Sequence, residues 1–175
     1  VMMLEVMGRD AGWIALHSGI AGGAHIILIP EIPFRLENIL RAIQERERGG
    51  FKYSLIVVAE GIQQMDPHPT AEPDQDRRQA PRPGALSHSL AECIASGSRR
   101  ETRVTVLGHI QRGGSPSPFD RVLSSRFGVG AVDLVARGEF GRMVCLRGSR
   151  IESTSLEESL RVMKAVDPQG EMVHT

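Results

Sequence analysis

The sequence predicts an α/β fold in which a mostly parallel sheet is covered by helices on both faces. Short apolar runs typical of buried strands alternate along the chain with segments of helical periodicity. Of the 175 residues, 41% are hydrophobic and 24% are charged, which is ordinary for a globular protein and sufficient to bury one sizeable core. One folded unit is therefore expected.

The first part of the chain alternates three apolar strands with two helices. Strands are predicted at 1–7, 25–29 and 54–59, because each run is apolar and stops at a glycine, a proline or a charged residue. The first helix ends at Gly22–Gly23, which suits a helix C-terminus. The second helix is amphipathic, because its apolar residues recur at i, i+3, i+4 and i+7: Leu36, Ile39, Leu40 and Ile43.

The second part continues the same alternation, which is typical of a parallel sheet. Its predicted elements are, in order, a helix near 86–95, a strand at 103–107, a polar turn at 108–115, a helix from Pro118 to Gly138 and a strand at 142–146. A last helix is predicted to begin at Ser155, because Ser155 and Glu158 have the spacing of a capping box.

Residues 61–84 interrupt this alternation. They hold five of the ten prolines, together with aspartate, glutamine and arginine, and almost no apolar residues. Such a composition cannot bury a core face, so we predict an exposed inserted loop.

The charge balance excludes several classes of partner. Lys+Arg and Asp+Glu both number 21, so no overall field favours nucleic acid or an anionic membrane. No apolar run approaches the roughly 20 residues that span a bilayer, and no signal pattern opens the chain. Cys93 and Cys145 are too few to suggest a disulfide framework, which favours a reducing compartment. A cytoplasmic location is expected.

The residues that end each strand are the candidate site residues, because ligands of parallel α/β sheets bind beyond the carboxyl ends of the strands. The first strand ends at Gly8–Arg9, where backbone N–H groups and a guanidinium can hold phosphate or sugar oxygens. The third ends at Glu60, whose carboxylate can accept hydrogen bonds from sugar hydroxyls. Each signal is weak alone, because a surface arginine or a helix-capping acid gives the same pattern.

A richer group surrounds the fourth strand and its turn, namely Arg103, His109 and Arg112. Arginine offers a rigid fork to phosphate, and histidine can donate to a phosphate or hydroxyl without a permanent charge. Neighbouring glycines leave room for a ligand to approach. Taken singly, a salt-bridged arginine or a structural histidine is the simpler interpretation. As a cluster, the three residues are explained equally well by an anion site.

Other catalytic and metal-binding motifs are absent from the sequence. It contains no Gly-x-x-x-x-Gly-Lys phosphate loop, no Gly-x-Ser-x-Gly elbow and no Cys-x-x-Cys pair. We predict no metal site, because the remaining histidines lack the paired spacing of metal ligands: His17, His25, His68, His88 and His174.

Two segments resemble the sugar-binding signatures of the phosphofructokinase family. They are Glu5-Val-Met-Gly-Arg-Asp-Ala-Gly-Trp-Ile-Ala15 and the longer, more specific Arg103-Val-Thr-Val-Leu-Gly-His-Ile-Gln-Arg-Gly-Gly-Ser-Pro-Ser-Pro-Phe-Asp-Arg121. Weaker similarity covers nearly all of the chain except 61–84. The resemblance implies a Rossmann-like three-layer α/β fold of the phosphofructokinase type. It also implies the glycolytic transfer of a phosphoryl group to the 1-hydroxyl of fructose 6-phosphate, which gives fructose 1,6-bisphosphate.

The resemblance implies roles for seven residues. Three of them, Met7, Gly8 and Arg9, would line the fructose 6-phosphate pocket, with Arg9 also steadying the transferring phosphoryl group. Glu60 would bind sugar hydroxyls. The remaining three would hold the substrate from the fourth strand and its turn: His109, Arg112 at the sugar phosphate, and Arg103 in the pocket of a neighbouring subunit of a homotetramer or dimer.

The resemblance also implies what residues 1–175 lack. The glycine-rich donor loop, the catalytic aspartate and the acids linked to Mg²⁺ would belong to a donor-binding domain upstream of Val1, so the chain alone is expected to be inactive. A non-catalytic sugar-phosphate-binding or regulatory module of the same fold is the alternative. By the same resemblance the donor would be ATP or pyrophosphate, and Gly108–His109 favours ATP. His25 replaces an acid of allosteric bacterial members, and Lys52 alone remains of a basic effector group, which argues against activation by ADP.

Overall fold

The computed structural model describes residues 1–63, 84–161 and 163–174, and the chain forms two compact units. Unit 1 comprises Val1–Arg112 and Ala165–Thr175, and unit 2 comprises Gly113–Lys164. The single folded unit expected from composition is therefore divided in two. Most of the insertion predicted at 61–84 lies outside the described residues. Among those that are described, no helix has both the length and the apolar character needed to cross a membrane.

Unit 1 is built on the predicted parallel sheet. Its strands are β1 (Met2–Val6), β2 (Ile26–Leu28), β3 (Leu55–Ala59) and β4 (Arg103–Val106), in the order β2-β3-β1-β4. All three neighbouring pairs are parallel. The order places β1 between β3 and β4, so the carboxyl ends of these three strands are neighbours.

Three helices cover the sheet: α1 (Trp13–Ala21), α2 (Leu36–Arg48) and α3 (Ala85–Ser98). Helix α1 contacts β2 and β3, whereas α3 contacts β1, β4 and α2. Right-handed crossovers that run in opposite directions along a sheet place their helices on opposite faces, so α1 lies on one face and α2 with α3 on the other. The predicted three-layer arrangement is confirmed.

The core of unit 1 fills the two interfaces between the sheet and its helices. The most deeply buried side chains come from strands and helices alike: Met3, Ile43, Ile56, Val58 and Ile94. Val166, which follows unit 2 in the chain, joins the same core. The chain therefore leaves unit 1, forms unit 2, and returns to complete the first hydrophobic core.

A buried carboxylate fixes the start of α3. Glu5, the fourth of the five residues of β1, is 3% exposed, and its oxygens accept hydrogen bonds from the Gly84 N–H at 2.9 Å and from the Ser87 hydroxyl. These donors lie in the first turn of a helix that has no side-chain cap at Gly84 itself. The strand therefore satisfies the N-terminus of the helix that packs on it.

Unit 2 contains an antiparallel hairpin that the sequence analysis missed. Helix α4 (Pro118–Ala136) precedes β5 (Arg142–Arg147) and β6 (Arg150–Ser155), which pair with each other. The strand predicted at 142–146 is therefore present, but it pairs with β6. Gly148, with φ +60°, lies in the two-residue turn between the strands, where a positive φ suits the hairpin. Strand β6 was missed because its residues are largely polar.

The last helix of unit 2, α5 (Leu156–Arg161), begins where the capping motif predicts. The Ser155 hydroxyl accepts the Glu158 N–H at 3.0 Å, so half of the capping box is formed. The Glu158 carboxylate instead accepts the Thr154 hydroxyl at 2.8 Å.

Candidate functional site

The predicted site residues lie at the carboxyl ends of three adjacent strands of unit 1. Gly8–Arg9 follows β1, Glu60 follows β3, and the 3₁₀ turn Gly108–Arg112 follows β4. Because β1 lies between β3 and β4, these segments end on the same edge of the sheet. This is the edge at which parallel α/β sheets bind ligands.

The turn after β1 is packed so closely that it needs glycine at Gly8, and the segment after β3 that lies against it needs glycine at Gly61. Gly8 has φ +145°, and a Cβ there would lie 2.9 Å from the Ala11 carbonyl oxygen. A Cβ on Gly61 would lie 1.8 Å from the Arg9 carbonyl oxygen, far inside van der Waals contact. The Gly61 N–H also donates to the Gly8 carbonyl at 3.1 Å. The segment after β3 therefore holds the backbone that carries Arg9, whose side chain is exposed.

Glu60 is half-buried beside this turn. Its N–H continues the sheet by donating to the Val6 carbonyl at 3.0 Å, and its Oε1 lies 3.5 Å from the Gly8 nitrogen. A hydrogen bond of that length is weak, and a carboxylate has about four acceptor positions. Glu60 therefore retains the capacity to accept hydrogen bonds from a ligand.

The turn after β4 presents His109 and Arg112 to solvent. Gly108 has φ +50°, which turns the chain away from the strand direction. The Ile110 N–H then donates to the Leu107 carbonyl at 3.2 Å and closes the turn. Both predicted side chains project from this turn at the shared edge, and both are exposed.

Gln111 lies in the same turn and was missed by the sequence analysis. Its side-chain Oε1 accepts the Met7 N–H at 2.7 Å, which links the turn after β4 to the turn after β1. The two residues are 104 positions apart in the chain. A glutamine between His109 and Arg112 carries no local signal, so only the strand order could have identified the contact.

Arg103 does not join the other candidate residues within one chain. It is the first residue of β4 and pairs in register with Met2, the first residue of β1, so it lies at the amino ends of the strands, opposite the candidate site. A strand rises about 3.3 Å per residue, so the five residue steps from Arg103 to Gly108 span roughly 16 Å. Its guanidinium instead bonds to Glu101 at 2.7–2.8 Å. The expected cluster of Arg103 with His109 and Arg112 is therefore wrong for a single chain. Its role in a neighbouring subunit stays a prediction.

The carboxyl edge combines cationic and acceptor groups. Arg9 and Arg112 can bind an anion, His109 can donate a hydrogen bond, and Glu60 can accept hydroxyl donors. That combination suits a phosphorylated polyol better than a purely anionic or purely apolar ligand. Within residues 1–63, 84–161 and 163–174, no three histidine, cysteine, aspartate or glutamate side chains are grouped so that they could hold a metal ion.

Comparison with known proteins agrees with this geometry. The family model described as Phosphofructokinase matches residues 1–135. ATP-dependent 6-phosphofructokinase 2 of Clostridium perfringens is 46% identical over 177 residues, a match that covers 100% of this chain and 48% of the relative. Pyrophosphate–fructose 6-phosphate 1-phosphotransferase of Streptomyces coelicolor is 46% identical over 169 residues, covering 96% and 49%. The chain thus spans about half the length of these relatives.

Solved structures give the same result at lower sequence identity. The pyrophosphate-dependent phosphofructokinase of Marinobacter aquaeolei superposes with a TM-score of 0.76 at 27% identity, covering 95% of this chain and 42% of that one. The phosphofructokinase of Saccharomyces cerevisiae superposes with a TM-score of 0.70 at 30% identity, covering 90% and 20%. The family match, the similarity over the whole of this chain and the shared fold agree, and the chain therefore belongs to the phosphofructokinase family.

Proposed function

We propose that the chain forms the fructose 6-phosphate-binding part of a 6-phosphofructokinase. The enzyme would transfer a phosphoryl group from ATP or pyrophosphate to the sugar 1-hydroxyl and form fructose 1,6-bisphosphate in glycolysis. The observation that carries the proposal is the meeting of three candidate segments at one edge of the sheet: Gly8–Arg9, Glu60 and the 108–112 turn. We also propose a cytoplasmic location, which the low cysteine count favours.

The proposed roles follow the chemistry of each side chain. Arg112 binds the 6-phosphate through its guanidinium, and His109 donates a hydrogen bond to the substrate. Glu60 accepts hydrogen bonds from sugar hydroxyls, for which its long contact to Gly8 leaves capacity. Arg9, on a turn held rigid by Gly61, stabilises negative charge on the transferring phosphoryl group.

Arg103 has a different proposed role because it lies at the amino end of β4, away from the other candidate residues. We propose that it reaches the sugar-phosphate site of a neighbouring subunit in a homotetramer or dimer. Its exposed guanidinium pairs with Glu101, which is also exposed, and such surface pairs contribute only about 0–1 kcal/mol. The pairing is therefore weak enough to be exchanged for a subunit contact.

Phosphoryl transfer depends mainly on positioning and on neutralising charge. Mg²⁺ bound to the donor would screen the charge of its phosphates. The described residues do not form a ligand set for that ion. By family resemblance, the proposal assigns the Mg²⁺ ligands and the catalytic aspartate to a donor-binding half outside the 175 residues. Within the 175 residues, the proposed task of the side chains at the candidate site is to bind and orient the acceptor sugar: Arg9, Glu60, His109 and Arg112.

The phosphoryl donor stays open between two chemistries. The Clostridium perfringens relative is named as ATP-dependent and the Streptomyces coelicolor relative as pyrophosphate-dependent, yet both are 46% identical to this chain. Gly108–His109 favours ATP by family resemblance. A coupled assay for fructose 1,6-bisphosphate, run with each donor in turn on the full-length protein, decides the question. The 175-residue chain alone is expected to give no turnover with either donor.

The first prediction tests the phosphate end of the site in the full-length protein. Arg112→Ala should raise the KM for fructose 6-phosphate by about a hundredfold, because loss of a charge-assisted pair to a bound phosphate costs about 2–4 kcal/mol. The KM for the donor should change little. Arg41→Ala, which removes an exposed arginine of α2, is the matched control and should leave both constants unchanged.

Two outcomes would count against the proposal. An equal loss of affinity for donor and sugar phosphate in Arg112→Ala would contradict the placement of the 6-phosphate. Binding of fructose 6-phosphate by the full-length protein, without turnover with either donor, would instead indicate the non-catalytic module.

A further inference from the structure

The backbone N–H of Met7, directly after β1, lacks its regular ladder partner, because the chain turns away after β4. Glu5 pairs in register with Val106, and the Leu107 N–H donates to the Glu5 carbonyl at 3.1 Å. If the parallel ladder continued beyond Val6, the next donor on this side, the Met7 N–H, would bond to the Leu107 carbonyl. That carbonyl instead accepts the Ile110 N–H, because the chain turns at Gly108.

The side chain of Gln111 replaces the missing ladder acceptor. Its Oε1 lies 2.7 Å from the Met7 nitrogen, shorter than most amide hydrogen bonds. The contact is partly buried, so the Met7 N–H would be left without a partner if the acceptor were removed. The turn that projects His109 and Arg112 therefore also supplies the group that completes β1.

The same hydrogen bond connects two segments of the candidate site. Gln111 lies between His109 and Arg112 on one turn, and Met7 directly precedes Gly8–Arg9 on the other. On the opposite side, the Gly8 carbonyl accepts the Gly61 N–H at 3.1 Å. The turn after β1 is thus held by both neighbouring strand ends, and its link to the Arg112 turn passes through the Gln111 side chain.

We infer that Gln111 is a positioning residue, which holds the turn carrying Arg112 in register with the turn carrying Arg9 through the Met7 N–H. The inference rests on the proposed function, in which Arg112 binds the 6-phosphate and Arg9 stabilises the transferring phosphoryl group. Gln111 itself needs no contact with the substrate. Loss of the Gln111 acceptor should displace the turn that carries Arg112 relative to the turn that carries Arg9, without changing the donor site.

The test uses the full-length protein and the variant Gln111→Met, which keeps side-chain length and removes the amide acceptor. We expect the KM for fructose 6-phosphate to rise about tenfold, as for the loss of one well-made hydrogen bond, with the donor KM within about twofold. Hydrogen exchange at the Met7 amide should accelerate. Gln44→Met, which changes an exposed glutamine of α2 in the same way, should alter none of these quantities.

Gln111→Glu keeps an acceptor at the same position and should preserve the slow exchange of the Met7 amide. An unchanged KM for fructose 6-phosphate in folded Gln111→Met, or unchanged Met7 exchange, would overturn the inference. If Gln111→Met does not fold, fast Met7 exchange in Gln111→Glu would overturn it, and retained protection would support it. If the unsubstituted protein does not phosphorylate fructose 6-phosphate, the proposed function fails, while the exchange comparison still decides the role of Gln111.

Discussion

Gly8 and Gly61 set the path of the backbone that carries Arg9. Neither residue bears a functional group, yet a side chain on Gly61 would occupy the volume of the Arg9 carbonyl, and Gly8 needs a positive φ beside Ala11. The position of a charged side chain therefore depends on residues that contribute only space. Glu5 shows the converse case, since a buried carboxylate contributes only hydrogen bonds to the start of α3.

Gly61→Ala is predicted to destabilise the protein by about 1–3 kcal/mol, because the new methyl group must displace the backbone at Arg9. Gly128→Ala is the matched control, since a Cβ there meets nothing within 4 Å in the interior of α4. Alanine should be neutral or stabilising at that position. Urea unfolding followed by circular dichroism measures both. Equal stability of Gly61→Ala and the unsubstituted protein would show that the turn can relax.

At the scale of elements, the helix termini are satisfied in different ways. Helix α3 takes its cap from the neighbouring strand through Glu5, whereas α4 carries its own capping box. The Ser117 hydroxyl receives the Asp120 N–H at 3.2 Å, and the Asp120 carboxylate accepts from the Ser117 hydroxyl and N–H, each at 2.8 Å. These hydrogen bonds lower the pKa of Asp120 below its ordinary value near 3.8, with the hydroxyl as the larger cause.

This lowered pKa predicts a stability effect with a definite sign. A carboxyl group whose pKa is lower in the folded state stabilises the fold fully above its unfolded pKa, and the contribution disappears as the pH falls through the folded pKa. The thermal midpoint of the unsubstituted protein should therefore exceed that of Asp120→Asn at pH 6, and the gap should narrow below about pH 4 and close as the pH falls through the lowered pKa of the folded state. Asp133→Asn, farther along α4, is the control. A gap independent of pH would contradict the role of the charged carboxylate.

At the scale of the whole molecule, Glu31 joins three distant segments of unit 1. It follows β2, and its two oxygens accept the Gly12 N–H at 3.0 and 3.1 Å, at the start of α1. One of them also accepts the Val166 N–H at 2.8 Å. Val166 is 3% exposed and lies on the segment that returns from unit 2. A single carboxylate therefore anchors the returning chain to the sheet and to its first helix.

Glu31→Ala is predicted to cost about 2–4 kcal/mol of unfolding free energy, because two partly buried N–H groups lose their acceptor. Glu45→Ala, which removes an exposed acid of α2, should stay within about 0.5 kcal/mol of the unsubstituted protein. Hydrogen exchange at the Val166 amide should accelerate in the first variant alone. Equal losses of unfolding free energy in both variants would mean that the hydrogen bonds from Gly12 and Val166 to Glu31 add nothing beyond the effect of a surface charge.

Local sequence patterns were enough to predict the order of strands and helices along unit 1 and the strand ends at which Gly8–Arg9, Glu60 and the 108–112 turn lie. These features follow from local periodicity and from turn residues, which depend on near neighbours. Three features became known only from the three-dimensional structure: Arg103 lies at the opposite end of the strands, β5 pairs with the polar β6, and the Gln111 side chain accepts the Met7 N–H. Such features depend on strand order and on hydrogen bonds between residues as far apart as Met7 and Gln111, which no local pattern encodes.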